Sequence, residues 1–118
     1  MRKILAGLGA ASVLLIGMGG AQAASVAKGK TLFQSDCASC HGTNGAGGKH
    51  IGSAVSADLQ APGLEKTYHH KTKLIVRAIL DGKDQNGEKL NAVMPRWKGR
   101  LSKAQARDIV AYLKTLKS

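Results

Sequence analysis

The chain has 118 residues, a formal net charge of +11 and only four aromatic side chains. Without a leader, this length leaves one small domain and excludes a second one. Such a domain buries only a modest fraction of its surface. Because the apolar residues are also few, we expect a large apolar cofactor to fill its centre.

The first 23 residues have the pattern of a cleaved secretory signal peptide. Arg2 and Lys3 precede an uncharged apolar run of about fifteen residues, which is followed by a small-x-small sequence ending at Ala23. The run is short for a membrane anchor, which needs ~20 residues. We therefore expect a signal peptide at 1–23 and a mature domain at 24–118, exported to the periplasm with a formal net charge of +9.

Three helices are predicted in the mature domain. The first covers 25–36, with Ser25 as a possible N-cap. The second begins at 68 or 71 and runs to 81, where Gly82 stops it. The third begins at a capping box that starts with Ser102, and its apolar residues recur at helical spacing to the end of the chain.

Long irregular segments lie between these helices, over 42–66 and 83–93. They are mostly polar, contain many glycines and show no strand pattern. Loops of this length are uncommon in compact domains. Packing against a cofactor would account for them, so we predict one all-α domain of three to four short helices.

Two cysteines form the most specific motif, Cys-Ala-Ser-Cys-His, from Cys37 through Cys40 to His41. A disulfide here would close a very small loop, a thioredoxin-like pair needs a βαβ pattern nearby, and a structural zinc site needs four ligands. Cys-x-x-Cys-His is instead the attachment signature of c-type haem. Two thiols one helical turn apart can reach two vinyl groups, and the next residue becomes an axial iron ligand. We predict one covalent haem c.

Met94 is the predicted sixth ligand of the iron. The other two methionines belong to the predicted leader, and Met is a common ligand in electron-transfer haem proteins. Pro95 fixes the backbone beside it. A Met that only fills a gap in the core is the ordinary alternative. If the iron were held by two histidines, His50 or His69 would be the second one.

The mature sequence resembles small class I monohaem cytochromes c over its whole length. A helix with Gly29 and Phe33 leads into the cysteine motif, a Met-Pro pair follows at 94–95, and a helix with Tyr112 and Leu113 ends the chain. The resemblance implies the cytochrome c fold, in which the first and last helices cross. It further implies that Gly29 and Phe33 pack near Tyr112 and Leu113.

Two further residues are assigned supporting roles in the haem pocket. The resemblance implies that a proline carbonyl orients the ring of His41, and Pro62 is the only mature proline besides Pro95. Trp97, which follows the Met-Pro pair closely, is expected to cover the haem edge. A partly exposed core aromatic is the alternative for Trp97.

A haem with both axial positions filled and no paired carboxylates nearby suits one-electron transfer rather than catalysis. The predicted function is a soluble, monomeric electron carrier. Two alternatives stay open: a subunit dedicated to one dehydrogenase or oxidase complex, and a haem enzyme or gas sensor from which Met94 dissociates.

Basic residues indicate the chemistry of the partners. They form two clusters in the sequence: Lys66, Lys71, Lys73 and Arg77, and then Arg96, Lys98, Arg100 and Lys103. Such a surface would steer the protein to acidic redox partners in a salt-sensitive way. Nucleic acid is not expected, because few aromatic residues are present to stack on bases. An anionic membrane surface is a possible weak contact.

Overall fold

The computed structural model describes residues 23–117, and within them it shows five helices and one β-hairpin. The elements are α1 (Val26–Asp36), α2 (Ala38–His41), β1 (His50–Ile51), β2 (Ala54–Val55), α3 (Gly63–Thr67), α4 (Thr72–Asp81) and α5 (Lys103–Leu113). The domain is predominantly helical, as predicted. The short antiparallel pair β1–β2 was not expected, and neither were the short helices α2 and α3.

The predicted signal peptide lies outside the described residues except for its last position, Ala23. Among residues 23–117, no helix is both long enough and apolar enough to cross a membrane.

Helix α1 begins at its predicted cap and ends at the cysteine motif. The Ser25 side chain accepts a hydrogen bond of 3.1 Å from the backbone N–H of Lys28. Gly29 and Phe33 are the buried residues of α1. At the other end, the Cys37 N–H donates to Phe33 O at 2.9 Å, so the last turn of α1 positions the first cysteine.

Helix α4 starts slightly later than predicted and ends where predicted. Lys71 is its N-cap, whereas Tyr68 caps the end of α3. Gly82 adopts a left-handed conformation (φ 66°) and its N–H donates to Ala78 O at 3.1 Å. The buried residues of α4 are Ile75, Val76, Ala78, Ile79 and Leu80.

Helix α5 carries the predicted capping box. Ser102 Oγ accepts from Gln105 N at 3.0 Å, and Gln105 Oε1 accepts from Ser102 N at 2.9 Å. The periodicity suggested a helix that continues to the end of the chain, but α5 ends at Leu113. Its buried residues are Ala106, Ile109, Val110, Tyr112 and Leu113.

The first and last helices cross closely, as the resemblance implied. A Cβ atom at Gly29 would overlap the carbonyl of Asp108, so only glycine allows this approach. The Asp108 side chain also accepts from Ser25 N at 2.8 Å. One turn further along α1, the rings of Phe33 and Tyr112 lie 5.4 Å apart. Gly29 therefore meets α5 one turn before Tyr112, and Phe33 meets Tyr112 itself.

Candidate haem site

One large cavity brings the predicted site residues together. Cys37, Cys40, His41, Met94 and Trp97 all line it. The rest of its surface is almost entirely apolar and comes from α1, α3, α4, α5 and the loops between them, including Phe33, Leu59, Leu64, Ile75, Ile79 and Leu113. The domain therefore has the apolar cavity expected of a chain that folds around an apolar cofactor.

The cysteine motif lies on the single turn of α2. Cys40 N and His41 N both donate to Cys37 O, at 3.2 and 2.9 Å. These bonds place Cys40 and His41 about one helical turn after Cys37. Burial raises the pKa of the Cys37 thiol to about 12, with smaller contributions from Asp36 and Cys40. At neutral pH Cys37 is therefore a protonated thiol, unlike the reactive thiolate of a thioredoxin-like pair.

The ring of His41 is oriented by a backbone carbonyl. Its Nδ1 lies 2.9 Å from Ala57 O. A proton on Nδ1 that is donated to this carbonyl leaves Nε2 with its lone pair free, which is the arrangement that a metal-binding histidine requires.

The expectation that Pro62 orients His41 is wrong. The Pro62 carbonyl accepts from Lys66 N at 2.9 Å, where it helps to start α3, and Pro62 is not among the cavity-lining residues. The β1–β2 hairpin turns the chain back on itself, and Ala57, which follows it closely, lies against the imidazole.

Gly47 makes the return of the chain possible. It has a φ of 65°, and a Cβ atom at this position would overlap the carbonyl of Ala57. Its N–H donates to His41 O at 2.8 Å. Sequence reasoning missed Ala57 because a backbone carbonyl has no side-chain signature. The run of glycines after His41 was the available signal, since glycine often marks a close approach of two backbones.

Met94 lies in the loop between α4 and α5. Its N–H donates to Asn91 O at 3.1 Å, and Val93 N donates to Asn91 Oδ1 at 2.9 Å. Met94 is partly buried, and both it and Pro95 line the cavity. His50 and His69, the alternative ligands, are exposed and do not line it. The structure thus places Met94, and neither of those histidines, at the cavity wall.

Trp97 also lines the cavity, and its backbone is tied to the end of α4. Its N–H donates to Ile79 O at 3.1 Å, and Lys98 N donates to Leu80 O at the same distance. The guanidinium carbon of Arg100 lies 4.4 Å from the centre of the Trp97 ring. These contacts hold the indole at the wall of the cavity, a place consistent with covering a cofactor edge.

In two of the eight residues in the predicted basic clusters, the guanidinium group donates hydrogen bonds to backbone carbonyls of the protein. Arg77 Nη2 donates to Asp84 O at 2.8 Å, and Arg96 donates to three carbonyls of the Met94 loop. The other six are exposed: Lys66, Lys71, Lys73, Lys98, Arg100 and Lys103.

The residues present fit a c-type haem. An apolar cavity with two thiols, one oriented imidazole and one thioether on its wall supplies the groups that such a haem needs. In the part of the chain that the structure describes, no three His, Cys, Asp or Glu side chains are grouped closely enough to hold a metal ion. The four ligands of a structural zinc site are therefore not assembled there.

Comparison with known proteins supports the same assignment. The family model described as "Cytochrome c" matches residues 26–117. The chain is 34% identical over 93 residues to a cytochrome c6 from Nostoc sp., an alignment that covers 79% of this chain and 72% of the relative. It is 32% identical to the cbb3-type cytochrome c oxidase subunit CcoP of Azospirillum brasilense and 37% identical to a cytochrome bc1 complex cytochrome c subunit of Corynebacterium diphtheriae. Those alignments cover 80% and 83% of this chain, but only 29% and 30% of the relatives.

Proposed function

This chain belongs to the cytochrome c family, and we propose that it is a one-electron carrier built around a single, covalently attached haem c. One observation carries the proposal. The same almost entirely apolar cavity is lined by Cys37, Cys40, His41 and Met94. Together these four residues would attach a haem and fill both axial positions of its iron.

Cys37 and Cys40 would attach the haem. Each thiol would add across one vinyl group, with the thiol hydrogen going to the neighbouring carbon, so that the addition would need no oxidant. The two sulfurs begin as free thiols, as this addition requires. Attachment through two thioethers next to His41 would also decide which face of the ring the imidazole takes.

His41 and Met94 would be the axial ligands. Bound haem supplies an iron that takes up and releases one electron. The Ala57 carbonyl holds the His41 ring and increases the basicity of its free nitrogen. Met94 contributes a thioether, a ligand that raises the reduction potential. With both axial positions filled, the iron would have no open position for a substrate, and electron transfer is then the reaction that the site favours.

A dedicated subunit of a larger complex is the second candidate function. It is favoured by the names of two relatives, a subunit of a cbb3-type oxidase and one of a bc1 complex. The cytochrome c6 relatives favour the free carrier, because this chain covers a larger share of them. Fractionation of cells separates the two functions. A carrier is recovered alone as a monomer in the periplasmic fraction, whereas a dedicated subunit stays with one complex in stoichiometric amount.

We further propose export to the periplasm and docking to acidic redox partners. The support is the leader-like sequence at 1–23, the formal net charge of +9 that remains without it and the six exposed basic residues of the two clusters. Electron transfer to an acidic partner should therefore slow as ionic strength rises. Contact with an anionic membrane surface would be a weaker effect of the same charge.

The attachment is tested by expressing the full chain in a host that attaches haem c. The wild-type protein should keep its haem during extraction with acidified acetone, and Ser39→Ala, a control within the motif, should keep it too. The double variant Cys37→Ala/Cys40→Ala should lose it. Potentiometric titration of the wild-type protein should follow a one-electron curve. Extractable wild-type haem or a two-electron curve would refute the proposal.

A further inference from the structure

We propose that Arg96 is a positioning residue that holds Met94 at the iron. The inference rests on the proposed ligation by Met94 and goes beyond it, because it names the side chain that keeps the ligand in place. In the sequence, Arg96 belongs to a basic cluster that suggests partner docking. In the structure, its guanidinium faces inward and binds the backbone of the Met94 loop.

The guanidinium contacts the loop at three carbonyls. Arg96 Nη1 donates to Met94 O at 3.0 Å and to Asn91 O at 3.3 Å, and Nη2 donates to Leu90 O at 2.7 Å. The same loop is closed by the bond from Met94 N to Asn91 O. Because this segment has no helix or strand of its own, these hydrogen bonds are what fixes the carbonyls on both sides of the turn that carries the thioether.

The Arg96 side chain rests on the end of α4. A Cβ atom at Gly82 would overlap the Nε, Cδ and Cζ atoms of Arg96, so the guanidinium lies directly on the glycine backbone. Gly82 also accepts from Leu90 N at 2.8 Å. A cation at this place is favoured by the partial negative charge of the helix C-terminus. Arg96 thereby connects the Met94 loop to a helix whose buried residues form part of the core.

This connection should affect the iron through the loop. If the loop is held, the Met94 thioether remains where it can bind the iron, and competing ligands are excluded from that axial position. If the loop is released, the fraction of molecules without the Met94 bond rises, and an added ligand binds more tightly in proportion. A lysine at position 96 would keep the charge, but a point-like ammonium cannot reproduce a planar fork that reaches three carbonyls.

The test compares haem-loaded wild type, Arg96→Lys and Arg96→Gln with Arg107→Gln, a control that removes the same charge from an exposed position on α5. Two quantities are measured on the ferric protein: the weak near-red charge-transfer band of a Met ligand, and the affinity for imidazole. Wild type and Arg107→Gln should behave alike. Both Arg96 variants should show a weaker band and bind imidazole at least about tenfold more tightly.

A second pair of variants leaves Arg96 in place. Gly82→Ala should displace the guanidinium and give the same two changes. Gly52→Ala is its control, because Gly52 has a similar φ of 60° but no atom within 4 Å of the added Cβ. If an Arg96 variant fails to fold, this pair together with the remaining Arg96 variant decides the question.

Three results would overturn the inference, and they differ from one another. If the charge-transfer band and the imidazole affinity of Arg96→Gln equal those of wild type, the Arg96 guanidinium does not position Met94. If Arg96→Lys behaves like wild type while Arg96→Gln does not, only the charge at position 96 matters. Absence of the band from wild type, with imidazole affinity equal to that of Met94→Ala, would show that the proposed ligation has failed as well.

Discussion

Replacement of Gly29 by alanine tests the helix crossing that closes the domain. Gly29 lies on the buried face of α1, where an added Cβ would overlap the carbonyl of Asp108 and lie 3.0 Å from Ile109 N. Both neighbours are backbone atoms of α5. They cannot rotate away as a side chain could, so the two helices would have to separate by about 1 Å or more to restore ordinary contact.

Two opposing effects decide whether Gly29→Ala stabilises or destabilises the domain. Alanine in a helix is intrinsically better than glycine by about 1 kcal/mol. Overpacking of a well-packed interface costs about 1–3 kcal/mol, and the upper value applies here because rigid backbone is on both sides. Separation of the helices would also loosen the contact of Phe33 with Tyr112. The net expectation is a loss of about 2 kcal/mol, which lowers Tm by about 8–16 °C in a domain of this size.

The assay is thermal unfolding of the haem-loaded protein, followed by far-UV circular dichroism. Gly63→Ala is the matched control, since Gly63 opens α3 and no atom lies within 4 Å of its added Cβ. That variant should be unchanged or more stable by about 0.5 kcal/mol. A Gly29→Ala protein as stable as Gly63→Ala would refute the account of the crossing.

Two further predictions concern the cap of α5 and a buried tyrosine. Ser102→Ala removes the capping hydroxyl and should lower the free energy of unfolding by about 1 kcal/mol in urea titrations, whereas Ser53→Ala in the exposed β1–β2 turn should not. Burial, with Asp84 adding to it and Arg77 opposing it, raises the pKa of Tyr68 above its ordinary value of 10.0. The unfolded chain therefore loses this proton first, so stability should fall as pH rises through and above the ordinary tyrosine pKa, and Tyr68→Phe should reduce the fall. An identical pH dependence in both proteins would contradict this.

The sequence predicted the parts of the fold that depend on local signals. The Ser25 cap, the stop at Gly82 and the Ser102 capping box each satisfy backbone groups within a few residues, and the structure shows all three. A close approach of some other backbone to α1 was also accessible, because a glycine inside a helix suggests it, but only the resemblance implied that this backbone belongs to the last helix.

The parts that the sequence did not predict depend on contacts between distant segments. The hairpin strands have two residues each, too few for an alternating pattern to be visible. The contact of His41 with Ala57 is made by a backbone atom, and it depends on the return of the chain through the hairpin and on the close approach of Gly47. Arg96 was assigned to the surface by its charge, and only its three carbonyl partners reveal that it binds the Met94 loop.

The most direct test of the central claim is the near-red absorption of the purified, haem-loaded ferric protein, together with exposure of the ferrous protein to carbon monoxide. The account predicts a weak Met-to-iron charge-transfer band that disappears in Met94→Ala, and a wild-type protein that does not readily bind carbon monoxide. A wild-type protein without the band that binds carbon monoxide readily would contradict ligation by Met94 and the carrier function built on it.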